Sequence, residues 1–476
     1  MKNQWLNLLI YTLLISINLI LNASSTNLIV SILQYIIVFY YLLKKDLKRA
    51  VFLHFLFLVT SPSLLGFDDL EIKLSYNYAK MKLYGNFSFS LLVSFLLFIV
   101  SYIKRPVIPD QVKVTLFYKL YEFIFIIGSI GFVFGIFGLA FLSYYIEGFI
   151  GYFSYIFVVF INASILIYNY SDKLIKKFYQ NSILILAASP IASILLFTLG
   201  FSREHYGQDS FYSSELSFFS VILLAGLFHE KKIATLILSL TCFFTVLLMA
   251  ISGKAIFLFF IVLTVCIFLS NDSQIKKKYK IRTEIFTGVV IIFFLLSSVF
   301  LTYIYSNDKY IFLQTKIYQF TSMFNVFYDG LDSVANSPYV RLASLTNIMY
   351  EHIQNPITFI FGNGYGGYYE DHFNFFSIFE SLEYAFPDES VKDGKFYYGH
   401  DTLVTVPFLN GLLGLFLLLS IVFKYIKAVK KNFLSLACIP FLLLAFYFNT
   451  QFGIIGVMLL FASEWRINAE KQNSLS

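Results

Sequence analysis

The chain reads as an all-α integral membrane protein of about fourteen transmembrane helices with one long extracytoplasmic loop that contains surface helices. Three observations predict this. Apolar residues make up 58% of the chain and charged residues 13%, with a mean hydropathy of +0.74, which excludes a water-soluble fold. Apolar runs of roughly 20 residues, the length that crosses the hydrocarbon core, recur from end to end. The basic residues collect in alternate connections between those runs.

Spans are expected near 4–22, 27–43, 50–66, 86–103, 120–143, 148–168, 182–200, 215–229, 233–250, 254–270, 285–305, 402–423, 432–447 and 453–463. The first run follows only Met1 and Lys2, lacks a basic leader region and has no small-residue cleavage site, so it reads as an uncleaved helix. One polytopic domain over 1–476 is expected, with no soluble domain before or after it. Placing the N-terminus in the cytoplasm leaves only ten of the 35 basic residues on the outer side, although that side holds the longest connection. Both termini are then cytoplasmic, and the protein is expected in the inner membrane of a bacterium. The net charge of +7 is accounted for by cytoplasmic loops beside anionic lipid and calls for no nucleic-acid partner.

The exceptional connection is 306–401. Its Tyr, Phe, Ile and Leu content argues against disorder, and loops of this length are commonly functional. Ser337-Pro338 predicts a helix start, with Ser as the cap and Pro in the first position, and Asn355-Pro356 predicts its stop. Leu342, Leu345 and Met349 recur between them at helical spacing.

Few cations face outward, so each calls for a reason. Arg203 follows the seventh span, Lys254 sits in the tight turn Ser252-Gly253-Lys254, Arg341 lies in the first turns of the loop helix, and His400 immediately precedes the twelfth span. Singly, each reads as a snorkelling or headgroup-binding side chain. Gathered together, they would form a cationic pocket with a titratable base, as a lipid-linked diphosphate requires. His400 is the candidate general base, and Asp401 beside it can cap the next helix or orient the imidazole.

Phe361-Gly362-Asn363-Gly364-Tyr365-Gly366-Gly367 matches neither a Walker loop nor a dinucleotide fingerprint. Its amides can cradle a phosphate, or its glycines can permit a tight turn with close packing. Glu370-Asp371-His372 lacks the second ligand pair that a metal site needs. Cys242, Cys266 and Cys438 lie in apolar runs without ligand spacing. His54 and Glu122 are the main ionisable residues within spans, which argues against an ion-coupled transporter. The 20% aromatic content reads as lipid contact in preference to a sugar platform.

Between about residues 182 and 425 the order of these features resembles the bacterial O-antigen ligase and polymerase superfamily, multi-spanning glycosyltransferases of the C-type class. The resemblance rests on Arg203 after a helix, the Ser252-Gly253-Lys254 turn, the helix bearing Arg341, Asn355-Pro356 followed by the Phe-Gly-x-Gly-x-Gly segment, His400-Asp401-Thr402-Leu403, and Gly411-Leu412-Leu413-Gly414. Two departures are Lys254 where ligases often carry arginine and Asp401 where the family often carries asparagine.

The resemblance implies that Arg203, Lys254 and Arg341, with the Gly364 turn, hold the diphosphate of an undecaprenyl-diphosphate-linked oligosaccharide. His400 would activate the acceptor hydroxyl, Asp401 would orient it, and Arg203 and Arg341 would share in catalysis, with no metal or other cofactor. A repeat-unit polymerase for O-antigen, capsule or exopolysaccharide is the expected activity, with membrane lipids and a chain-length regulator as candidate partners. The long loop and loose motifs favour it over the alternative, a ligase acting on lipid A core. A lipid-linked oligosaccharide flippase is the rival from another class, disfavoured by the outer placement of the cations.

Overall fold

The computed structural model describes residues 2–21, 25–61, 76–84, 87–201, 203–205, 208–210, 215–225, 262, 311–378, 386, 388–397, 399, 402–429, 432–444 and 450–473. These are predominantly helical. In chain order they form α1 (Lys2–Ile20), α2 (Ser25–Leu43), α3 (Leu47–Thr60), the hairpin β1–β2 (Lys82–Tyr84 and Phe87–Ser88), α4 (Phe89–Lys104), α5 (Asp110–Lys113), α6 (Leu116–Phe141), α7 (Ile146–Tyr168) and α8 (Asp172–Thr198). The hairpin β3–β4 (Arg203–His205 and Gln208–Ser210), α9 (Glu215–Ser220) and α10 (Ile311–Ser322) follow. Then come α11 (Asn336–Gln354), α12 (Pro356–Phe361), β5 (Tyr369–Glu370), α13 (Asp388–Asp393), β6 (Lys395–Phe396), α14 (Thr402–Val429), α15 (Cys438–Leu444) and α16 (Thr450–Asn473).

Among the described residues, five helices are long and apolar enough to cross a bilayer: α2, α6, α7, α8 and α14. The expected spans at 233–250, 254–270 and 285–305 lie outside the described residues, apart from Val262. Capping sets several starts. Asp46, Ser88 and Thr115 accept the amides of Arg49, Leu91 and Tyr118 at 3.1, 3.2 and 3.1 Å, satisfying donors that a helix leaves open.

Several boundaries differ from the sequence reading. α8 starts at Asp172, ahead of the expected 182, because Leu174, Ile175 and Phe178 continue its buried face below the charged residues and Asp172 suits the first turn of a helix. α16 runs to Asn473, beyond the expected 463. Within the expected 215–229 span the described residues form α9 and a 3-10 turn over Val221–Ala225, and 226–229 lie outside them. The 432–447 span opens as a 3-10 turn over Phe433–Ala437 before α15. α11 starts at Asn336 with Ala335 in the cap position, so Pro338 falls inside the first turn, where its missing amide costs no hydrogen bond.

α16 is the centre of the bundle, buried on every side from Gln451 to Glu464. Phe461 meets Phe117, Phe178 and Tyr170 edge to face at 5.1, 5.4 and 5.8 Å, the preferred arrangement of aromatic pairs. Gln451 binds the carbonyls of Leu58 and Ser61, tying α16 to the end of α3.

Cations gather at one end of this bundle. Lys104 reaches the carbonyl of Lys45 and Arg105 that of Tyr170. Lys176 lies over Trp465, Lys177 over Phe52, and Arg466 donates to Tyr179. The opposite end carries the 142–145 connection, the described residues of 311–397 and the start of α14. We call these the basic end and the loop end. Of the ionisable residues expected within spans, His54 is fully buried with Nδ1 on the Tyr78 hydroxyl and Nε2 on Ser94 Oγ, at 2.8 and 2.9 Å. Glu122 accepts from Lys119 at 2.6 Å.

Candidate functional site at the loop end

The glycine-rich turn after α12 is inserted into the helices. Asn355 caps α12 by accepting the amide of Ile357, with Pro356 at the first position, and the chain leaves α12 through Gly362. The amides of Asn363 and Gly364 donate to the carbonyls of Phe408 and Leu409 on α14, at 2.7 and 3.1 Å. α14 is broken at this level, between Pro407 and a Gly411 held at φ +58°. Protein depth without water requires every carbonyl to find a donor, and the turn supplies two. The Tyr365 amide donates to Gly131 on α6 at 2.9 Å, and the Gly366 carbonyl accepts from Tyr145 at 3.0 Å.

The Tyr365 ring enters a slot between α6 and α7. A methyl group on Gly131 would lie 2.2 Å from that ring, so the slot exists only because α6 carries no side chain there. The ring stacks on Tyr152 at 6.0 Å and meets Phe149 edge on at 6.2 Å. Beside it lies an apolar cavity of about 210 Å³ between α6 and α7, with Phe125, Phe132, Phe153, Phe157 and Phe160 in its wall.

Above the slot the segment builds a polar surface. Glu351 on α11 accepts the amide of Glu370 at 2.7 Å and faces His372 Nε2 at 2.8 Å through the same oxygen. Burial pushes the Glu351 carboxyl above its ordinary value, opposed by those two hydrogen bonds. A carboxylate and imidazole so paired can pass a proton to or from a bound hydroxyl. Asp371 is occupied elsewhere, accepting from Phe375 and Phe376 amides and from Asn347 Nδ2. Glu370, Asp371 and His372 therefore diverge, and among the described residues no three His, Cys, Asp or Glu side chains gather as metal ligands. His352 is buried with Nε2 on Asn363 Oδ1 at 3.2 Å, and burial lowers its pKa.

A string of tyrosines extends from the Glu351 pair. Tyr144 lies 6.2 Å from Tyr368, Tyr368 lies 6.0 Å from Tyr397, and Tyr397 lies 4.7 Å from Tyr145. Tyr145 donates to Glu147 at 2.6 Å, and Lys395 stands over the Tyr368 ring at 4.3 Å. Burial, with the neighbouring Tyr368 and Glu351, pushes the Tyr144 phenol up to about 12.

The residues expected from sequence are distributed as follows. Arg341 is half-buried on α11, with Nη1 donating to the Ser337 carbonyl and hydroxyl at 2.7 and 2.8 Å. Arg203 is in β3, paired with Ser210, and its side chain lies outside the described residues. α8 starts at the basic end and runs for 27 residues, roughly 40 Å, so Arg203 belongs to the loop end with Arg341. Gly364 donates its amide to Leu409, so that amide is engaged by protein. Lys254, His400 and Asp401 lie outside the described residues. The flanking Tyr397 rests on the 142–145 connection, and Thr402, buried, opens α14.

Sequence reasoning missed the Glu351–His372 pair and the tyrosine string. The density of tyrosine at 365, 368, 369 and 397 was the available signal, but pairing with 144–145 depends on the fold. No protein-family model matches the chain, and no curated protein matches it.

Proposed function

We propose that this chain is a membrane glycosyltransferase, a repeat-unit polymerase that moves a growing glycan from undecaprenyl diphosphate onto the next lipid-linked unit. It has about fourteen spans, and the loop end faces out of the cell, in keeping with cations gathered at the opposite end. Arg203, Lys254 and Arg341 bind the donor diphosphate. His400, oriented by Asp401, takes the proton of the acceptor hydroxyl. The freed oxygen pair attacks the anomeric carbon, the bond from that carbon to the diphosphate breaks, and undecaprenyl diphosphate departs with its charge held by the cations.

One observation carries this reading. The Phe-Gly-x-Gly-x-Gly turn and the helix that follows His400, separated in sequence, are joined by the Asn363–Phe408 and Gly364–Leu409 hydrogen bonds at the end that also holds Arg341. Two stretches on which the resemblance rests thus meet in one place.

The test is a surface-glycan gel from a strain lacking the gene, complemented with wild type or with His400→Ala, membrane expression being verified for both. The polymerase reading expects a ladder from wild type and core capped by a single repeat unit from deletion and variant. Uncapped core with polymer retained on undecaprenyl diphosphate identifies a ligase. A wild-type ladder from His400→Ala removes that histidine from catalysis.

A further inference from the structure

We propose that the tyrosine string at the loop end is a saccharide-binding subsite, with Tyr144, Tyr145, Tyr368 and Tyr397 as its ring surfaces and Lys395 and Glu351 as its polar contacts. It deepens the proposed function, since it rests on that reading for the claim that the sugar bound there is the acceptor.

The rings come from three separate stretches of chain, at 144–145, 368 and 397. Each is half-buried. Tyrosines of the basic end meet in pairs, as Tyr102 does with Tyr168 at 5.6 Å. The four at the loop end form one continuous string, with centroids 4.7, 6.0 and 6.2 Å apart. A pyranose presents an apolar C–H face and a polar hydroxyl rim, and the cluster offers a match for each: ring faces for the first, a cation and a carboxylate for the second. A phosphate would call for net positive charge, but here Lys395 is balanced by Glu147 and Glu351 in the same string. The polar partners also fix the rings. Tyr145 is held by Glu147, and Lys395 both bonds to and overlies Tyr368, an interaction that raises the lysine pKa. Position adds a further argument, because Tyr397 stands three residues before His400 and a sugar lying on it would present its rim to the start of α14.

The test uses the full-length protein in lipid nanodiscs. The probe is lipid-free oligosaccharide released by mild acid from the surface polysaccharide of the producing organism, and binding is read by saturation-transfer NMR. Wild type is expected to transfer saturation to ring C–H protons of the probe. Tyr368→Leu and Tyr397→Leu, which keep bulk without an aromatic face, should weaken binding about tenfold. Tyr397→Phe, which keeps the aromatic face, should bind as wild type does, and so should Tyr40→Ala, an exposed tyrosine of α2. Absence of binding by wild type overturns the subsite, as do leucine variants that bind like wild type while eluting as single species. The glycan ladder of the deletion strain separates the two readings. Probe binding lost in the leucine variants beside a ladder that survives deletion keeps the subsite and removes the polymerase. The ladder lost on deletion and restored by wild type, with probe binding indifferent to the tyrosines, does the reverse.

Discussion

Glu464 Oε1 accepts the backbone amide of Phe117 at 2.7 Å, deep in the protein and across 347 positions of sequence. A carboxylate within α16 thus closes the N-terminal turn of α6, where open amides and the helix dipole favour negative charge. Glu464→Ala should lower stability by about 1–3 kcal/mol, the cost of an orphaned buried donor, and Glu464→Gln by less, since its amide oxygen still accepts. Thermal unfolding in detergent measures both; an unchanged midpoint for the alanine variant would show that the contact carries no stability.

Gly364 has φ +76°, and a Cβ there would lie 2.5 Å from the Gly135 nitrogen. Gly364→Ala is expected to eject the glycine turn from the bundle, adding a backbone clash to the ~1–2 kcal/mol that the left-handed region costs an L-residue. Gly330 is the control, with φ +83° and nothing within 4 Å of a Cβ. Gly330→Ala should show the conformational cost alone. Limited proteolysis of the 311–397 segment compares them, and equal cleavage of the two variants would refute close packing at Gly364.

Acid should loosen the same docking through His352. Its folded pKa is lowered by burial below the ordinary 6.5. The unfolded chain then takes up the proton first, and the stabilising contribution present above 6.5 is lost as pH falls through the folded value. Glu351 acts in the opposite sense. Its raised carboxyl pKa favours the folded state below 4.5, a contribution lost as pH rises through the folded value. His352→Gln, which keeps a donor toward Asn363, should therefore lose less stability than wild type between about pH 7.5 and about pH 5.5. Identical pH profiles would exclude the histidine as the source.

Arg341 bears on the proposed chemistry. Its Nη1 is held by Ser337, which orients the guanidinium. Arg341→Gln should cut polymer formation by about a hundredfold, as loss of one charge-stabilising donor does. Arg341→Lys should recover only part of it, because a point charge does not reproduce the planar fork. Polymerisation assayed in membranes reads both, and full activity of the glutamine variant would remove Arg341 from the site.

Local signals in the sequence predicted local structure well. Asn355-Pro356 does end α11 and start α12, and the glycine segment is a tight turn packed against helices. Charged residues at 172–177 concealed the true start of α8, because periodicity is harder to read where a buried stripe passes under a basic face. What no spacing rule reveals is a long-range pairing. Tyr365 with Gly131, Glu351 with His372 and Tyr145 with Tyr397 are neighbours only once the topology is known. Lys254, His400 and Asp401 fall outside the described residues, so the cationic pocket itself rests on the sequence.

The slot for Tyr365 has a consequence for biogenesis. α6 and α7 are synthesised some two hundred residues before the ring that sits between them, so the slot beside Gly131 is made before its occupant. Final assembly therefore brings a later segment of chain into helices made earlier, with the Tyr365 ring filling the place that Gly131 leaves open. That docking is completed by the Asn363 and Gly364 hydrogen bonds only after Phe408 and Leu409 of α14 have been made. Maturation of the loop end is consequently a late event, separable in time from membrane insertion of the helices that receive it.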